Sequence, residues 1–328
     1  MRALFPLLCV LGALTACGPA PAPLAKPPAA PGPGLAWAYP DGPEAPIPPA
    51  PPGPQTLPGS SRTFTQAELS DDSHVVDWSP QDHPPAPQSV TSRRPGGPLP
   101  CAECHLYSGT GFVGAADLNG LPAAYIVQQV GEFRAGRRVS AQQPRRADTE
   151  EMIAVAKAVT DAELAQAAAY YASLPRRPFV RVVEADTAPA VKPSPWGWMD
   201  LVEGAPAQPL NGAIVEVAES WPRMALHDPH AGIVDYVPRG SIARGEALVR
   251  SGGPGGQPCA SCHGGDLKGR DGAPPLAGRA PAYLARMLWD IRSGARSGPA
   301  VAQMLVPASG LSDAQITDIT AYLASKAP

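Results

Sequence analysis

Cys101-Ala102-Glu103-Cys104-His105 sets two thiols three positions apart with an imidazole directly after the second, and Cys259-Ala260-Ser261-Cys262-His263 repeats the same groups at the same spacing. The 328 residues hold six cysteines; Cys9 and Cys17 fall in the first seventeen positions, so every later cysteine belongs to one of the two pentapeptides. Three chemistries use thiols so placed. Disulfides suit an exported chain but do not require a histidine after each pair. A zinc site built from two C-x-x-C pairs leaves both histidines without a role. Covalent haem attachment uses every residue: two thiols add to the two vinyl groups of one porphyrin, and the adjacent imidazole binds the iron.

A haem also needs a pocket, so the surrounding elements matter. A shift of 158 that superimposes the pentapeptides also lays 118–138 on 276–296 without a gap, matching Leu118 with Leu276, Gly120 with Gly278, Tyr125 with Tyr283 and Arg134 with Arg292. This reads as an internal duplication of a whole domain. With a shift of 152, 152–174 lies on 304–326. There Thr160 precedes Glu163, and Ser312 precedes Gln315, by three residues, the capping-box pattern that opens an amphipathic helix.

Taken together, these motifs resemble a di-haem member of the class I cytochrome c family, over 88–178 and 239–328. The resemblance implies a mainly α fold: two cytochrome c-like helical domains, each ordered as C-x-x-C-H, loop and helix, a methionine on the loop before the last helix, C-terminal helix. It implies two covalently bound haem c groups, held by Cys101, Cys104 and His105 and by Cys259, Cys262 and His263. The second axial ligands would be Met152 and Met304, which fall on each other in the 152 shift, whereas Met287 meets Gln129 and reads as core, and Met199 and Met224 have no counterpart. The carbonyl of Pro275 is expected to fix the proximal imidazole of the second copy, and Asp117 stands at that position in the first. Gly245 occupies the place where first and last helices cross closely. The stretch before Cys101 matches poorly, so the first domain's opening helix is expected to be short or replaced.

The rest of the chain frames these two units. Residues 1–16 have one basic residue, an apolar run too short for a bilayer and small residues, which predicts a signal peptide. "LTAC" resembles the bacterial lipoprotein box, with Cys17 as the lipid anchor. Residues 17–87, proline-rich from Pro19 to Pro58, read as a disordered, extended tether. In the connector, 179–238, "FVRVVEAD" and "GAIVEVAES" alternate apolar and polar residues and predict short strands that pair as a small β element packed against one haem domain. His74, His83, His227 and His230 read as surface turn residues rather than iron ligands.

Lysine and arginine number 10 against 8 acids over 88–180 and 10 against 6 over 239–328, an excess that haem propionates would cancel, and nothing points to nucleic acid. With histidine and methionine on both sides, each iron would be closed to substrate and exchange only electrons. The expected function is therefore a periplasmic, membrane-anchored carrier between redox protein partners, a dehydrogenase or quinol-oxidising complex and a terminal acceptor, with no small-molecule substrate. A di-haem peroxidase, which needs an open iron, and a haem subunit of a larger dehydrogenase are the alternatives.

Overall fold

The computed structural model describes residues 31–42, 53–142, 147–194 and 198–328; the expected leader and Cys17 lie outside them. Among these residues no helix is long and apolar enough to cross a membrane.

The first helical unit opens with a single four-residue turn, Gln88–Thr91, in place of a long helix. Val90 is fully buried there, and the Ser89 hydroxyl donates to the Glu163 carbonyl at 3.0 Å, so the turn is tied to the unit's last helix. Helices α1 (Ala102–His105), α2 (Ala123–Arg134), α3 (Ala147–Ala158) and α4 (Asp161–Ser173) follow. At the head of α4, Thr160 Oγ1 accepts the Glu163 N–H at 3.2 Å while Glu163 Oε2 accepts the Thr160 N–H at 2.8 Å. The box satisfies two orphan donors of the first turn. Arg134, at the end of α2, donates to the Ala156 and Val159 carbonyls at 2.8 Å and so caps α3. The equivalent Arg292 reaches the Leu311 carbonyl and the Asp313 carboxylate, which explains why that arginine recurs.

The second unit comprises α5 (Ser241–Ser251), α6 (Ala260–His263), α7 (Pro281–Ser293), α8 (Leu305–Ser309) and α9 (Asp313–Ala324). Every residue of α9 from Ile316 to Ala324 is buried. A helix buried on all sides needs neighbours all round, and α5, α7 and the connector's first strand supply them. Gly245 of α5 lies so close to α9 that a Cβ there would stand 2.0 Å from the Asp318 carbonyl oxygen.

Between the units runs a three-stranded sheet of β1 (Val180–Ala185), β2 (Val215–Ala218) and β3 (Ile233–Pro238), in the order β1-β3-β2. The two strands expected from sequence are both present, but they do not pair with each other. β3 lies between them, parallel to β1 with Val180 opposite Ile233 and antiparallel to β2 with Val215 opposite Tyr236. As the central strand it is covered on both faces, so its sequence carries no clean alternation. Val182 and Val237 join the second unit's core, whereas Val183, Val215 and Val217 face the remaining connector.

The expected tether over 17–87 is corrected over its described part. Residues Pro33–Ala38 form a 3-10 turn whose Leu35 and Trp37, with Tyr39 just beyond, are buried in the second unit's core. The Tyr39 hydroxyl donates to Asp290 Oδ1 at 2.9 Å. Further on, Leu57, Val76 and Trp78 form a small core, with Trp78 Nε1 donating to the Leu226 carbonyl at 2.6 Å. Proline richness excludes helix and central strand, not burial; a few large aromatic side chains offset the ordering entropy of a stretch already stiff in the unfolded chain.

The helical units meet through related segments. Arg138 and Arg296 form an antiparallel bridge, flanked by Val139 N–H to the Ala295 carbonyl at 2.8 Å and Ser297 N–H to the Arg137 carbonyl at 2.7 Å. Arg138 donates to Gln129 Oε1 at 2.9 Å and Arg296 to the same oxygen at 2.8 Å, while both guanidiniums also reach Met287 Sδ. Residues 158 apart thus exchange contacts across the boundary, the signature of an interface with two-fold character.

Candidate haem sites

Each pentapeptide forms one helical turn, α1 or α6, which places both thiols and the imidazole along one short stretch of surface. The chain leaves each turn through a residue at positive φ, Gly264 at 87° in the second unit and Leu106 at 58° in the first. Glycine makes that bend without cost; leucine does so under strain of about 1–3 kcal/mol. The Tyr171 hydroxyl bonds the Leu106 carbonyl at 3.2 Å and Tyr170 bonds that of Tyr107 at 2.8 Å, holding the strained loop onto α4.

The imidazoles are aimed in the same way. His105 Nδ1 lies 2.8 Å from the Ala116 carbonyl oxygen, and His263 Nδ1 lies 2.8 Å from that of Pro274. A carbonyl can only accept, so Nδ1 carries the proton in both rings and Nε2 presents its lone pair outward, as an iron ligand must. Burial pulls both imidazoles below their ordinary pKa, which keeps that lone pair free at neutral pH. The expected carbonyl of Pro275 is corrected by one residue. Pro275 instead accepts from Arg279 Nε at 2.6 Å, and Asp117, its counterpart, is likewise one residue past the carbonyl that holds His105.

Met304 ends a 3-10 turn, Pro299–Met304, and is half-buried beside Ile291, Val301 and Ala308. Met152 lies inside α3, half-buried against Val130, Phe133 and Leu164. The family order expects a methionine on a loop; here Ala, Glu and Lys favour helix and two acids occupy its first turn, so the approach is helical. Among the described residues the four cysteines of the pentapeptides form no disulfide. Among the described residues no three His, Cys, Asp or Glu side chains converge in a metal-holding group, so the two C-x-x-C pairs do not form one tetrahedral site.

The remaining histidines have other partners. His230 Nε2 is 2.8 Å from Asp82, His227 lies 3.8 Å from Glu103, and His74 pairs by backbone with Ser92. His83 is more than a surface turn: its side chain is buried, stacks on Tyr107 at 5.1 Å and bonds Asp77 at 3.3 Å, which raises its pKa. The connector adds aromatic cover that sequence reading missed. Phe112, whose N–H bonds the Cys104 carbonyl at 2.8 Å, packs against Trp198 at 5.4 Å and Trp221 at 6.0 Å.

A second missed feature is buried positive charge. Arg138, Arg279, Arg286 and Arg296 are all buried near the boundary of the units. Burial alone would raise the pKa of the Tyr283 phenol, yet Arg138, Arg279 and Arg296 outweigh it and hold it below its ordinary value. Arg138 Nε, Arg176 Nε and Arg279 Nη2 are buried donors with no protein acceptor. Unmatched buried donors call for an anionic partner, and a porphyrin carrying two carboxylates, seated on His105 or His263, has the chemistry they lack. The residues therefore fit haem c, and the signal in sequence was the arginines that close the two aligned blocks.

Comparison with known proteins agrees. The profile of the family "Cytochrome c" matches residues 242–327. The chain is 36% identical over 105 residues to the thiosulfate dehydrogenase electron acceptor of Stutzerimonas stutzeri, covering 30% of this chain and 47% of that one, so it spans about half the length of that relative. It is 41% identical over 69 residues to cytochrome c-554(548) of Halomonas halodenitrificans, covering 21% of this chain and 83% of that one. Among solved structures, the thiosulfate dehydrogenase TsdBA of Marichromatium purpuratum superimposes with a TM-score of 0.46 at 25% identity, over 70% of this chain and 36% of that one. With a helical fold, an attachment turn followed by an aimed imidazole, and a small cytochrome matched over most of its length, the chain belongs to the cytochrome c family, the electron-transfer proteins that bind haem c covalently.

Proposed function

We propose that this chain is a di-haem single-electron carrier, exported and held at a bacterial membrane by a lipid on Cys17. The observation that carries the reading is the matched pair of turns: in both, the C-x-x-C-H imidazole donates Nδ1–H to a carbonyl eleven residues on and leaves Nε2 free. When bound, haem c supplies one-electron iron chemistry. Cys101 and Cys104, or Cys259 and Cys262, would hold it covalently, and His105 and His263 would ligate its iron. Met152 and Met304 would supply the second ligands, which would leave no open position for a substrate. Sulfur ligation would favour the ferrous state.

The partner class is a dehydrogenase that releases electrons, as the Stutzerimonas relative is a thiosulfate dehydrogenase electron acceptor; working as the haem subunit of a dehydrogenase complex is the same chemistry with a permanent partner. The two-haem reading is tested by intact mass after denaturation: wild type retains two haems, and the Cys101→Ser/Cys104→Ser variant retains one. Met304→Ala then binds carbon monoxide at one iron only, where wild type binds none. One haem in wild type, or a high-spin iron that turns over peroxide, would overturn the carrier.

A further inference from the structure

The loops that aim the two proximal histidines are joined to each other. Asp117 directly follows Ala116, whose carbonyl holds His105, and its side chain is 2% exposed. Arg279 comes from the other unit, and its side chain is 3% exposed. Its Nη1 donates to Asp117 Oδ1 at 2.5 Å and to the Asp117 carbonyl at 3.1 Å, while its Nε donates to the Pro275 carbonyl at 2.6 Å. Pro275 directly follows Pro274, whose carbonyl holds His263. One guanidinium thus grips the backbone one residue past the anchor of each imidazole. Arg176 reinforces it, with Nη1 at 3.4 Å from Asp117 Oδ2 and Nη2 donating to the Ala277 carbonyl at 2.8 Å.

This bridge breaks the two-fold relation seen at Arg138 and Arg296. Under the 158 shift Arg279 falls on Leu121 and Asp117 on Pro275, so neither half recurs in the other copy. A buried carboxylate spanned by two guanidiniums is a poor device for stability alone, because desolvation of the ions consumes most of the attraction. Placed between two imidazole anchors it has another effect. In a buried region a unit charge is weakly screened, so it acts on groups on both sides of the boundary.

We propose that Asp117 and Arg279 are positioning residues that couple the two redox centres: the bridge between the two imidazole anchors sets both potentials together. This rests on the two-haem reading above. Asp117→Asn is isosteric and removes the protein carboxylate that both guanidiniums bond. It should therefore raise the ferrous-to-ferric ratio at a fixed ambient potential about tenfold at both haems, about 59 mV for one electron. Arg279→Gln removes a cation and should move both midpoints the other way. Arg279→Lys keeps the charge but cannot span two loops; its midpoints should stay near wild type while hydrogen exchange of the His105 and His263 Nδ1–H groups, followed by NMR, quickens in both units.

The experiment is a redox titration of each variant with both haems resolved, after mass has counted the haems. A shift at both centres from a substitution in one unit supports the bridge. With two haems present, a shift confined to the centre of His105, or none at either, overturns it and leaves the two-haem reading standing. A single haem overturns both. Should Arg279→Gln fail to fold, Asp117→Asn and Arg279→Lys still decide the matter.

Discussion

The same substitution, glycine to alanine, should act in opposite directions at Gly245 and Gly131. A methyl on Gly245 would stand 2.0 Å from the Asp318 carbonyl oxygen, 2.6 Å from its carbon and 2.8 Å from Tyr322 Cβ. The first contact is about 1.5 Å inside ordinary van der Waals separation. Two of the three atoms are backbone in the middle of α9, which is buried on all sides and cannot retreat, so α5 must tilt away from it. Overpacking costs typically about 1–3 kcal/mol where side chains can yield; with backbone opposed, about 3 kcal/mol or more is expected. At about 2.1 cal/mol/K of unfolding entropy per residue, that corresponds in a chain of 328 residues to a fall in Tm of roughly 4 °C or more. Gly131 sits inside α2, and a Cβ added there would meet no atom within 4 Å, so alanine should stabilise by about 0.5–1 kcal/mol. Thermal and urea unfolding of the haem-loaded protein provide the assay. Equal stability of Gly245→Ala and wild type, or loss of stability in Gly131→Ala, would refute the close-crossing argument.

Two further outcomes follow from the structure. Burial pushes the Asp290 carboxyl up to about 6, although the Ala141 N–H and the Tyr39 hydroxyl donate to it. The unfolded value is lower, about 3.9, so the fold favours the protonated form. Stability from this group is complete below about pH 4 and is lost as pH rises through about 6, a fall on the order of 2–3 kcal/mol. Asp290→Asn should flatten unfolding curves between pH 4 and 7; an unchanged slope would assign it to other groups. At the last helices, Thr160→Ala and Ser312→Ala should each cost about 1 kcal/mol. Because Arg94 Nε also donates to Glu163 at 2.7 Å, Glu163→Ala should cost more than Gln315→Ala, and equal urea midpoints would argue against that added tie.

Much of the site was legible because its chemistry is local. Two thiols and an imidazole in one turn, and a hydroxyl three residues before a carboxylate or amide, need only the geometry of a single helix to meet. The misreadings share a different cause. Pro275 was one residue off because which carbonyl faces an imidazole eleven residues away depends on how the intervening loop folds. Met152 was expected on a loop, but helix-forming neighbours extend α3 through it. The tether was read from its prolines, and Leu35, Trp37 and Tyr39 found a core that composition does not announce. β3 escaped notice because a strand covered on both faces has no alternating pattern to read.

The sequence by itself determined where two thiols and an imidazole recur at the spacing haem attachment uses, and roughly where the last helix of each unit starts, since those depend on contacts within a few positions of the chain. Only the tertiary structure decided that Arg138 meets Arg296, that Arg279 reaches from one imidazole anchor to the other, and that the connector's aromatic rings cover the first site. Those contacts join residues far apart in the chain, and their free energy comes from burying charge and aromatic surface together, which exists only once both units have folded against each other.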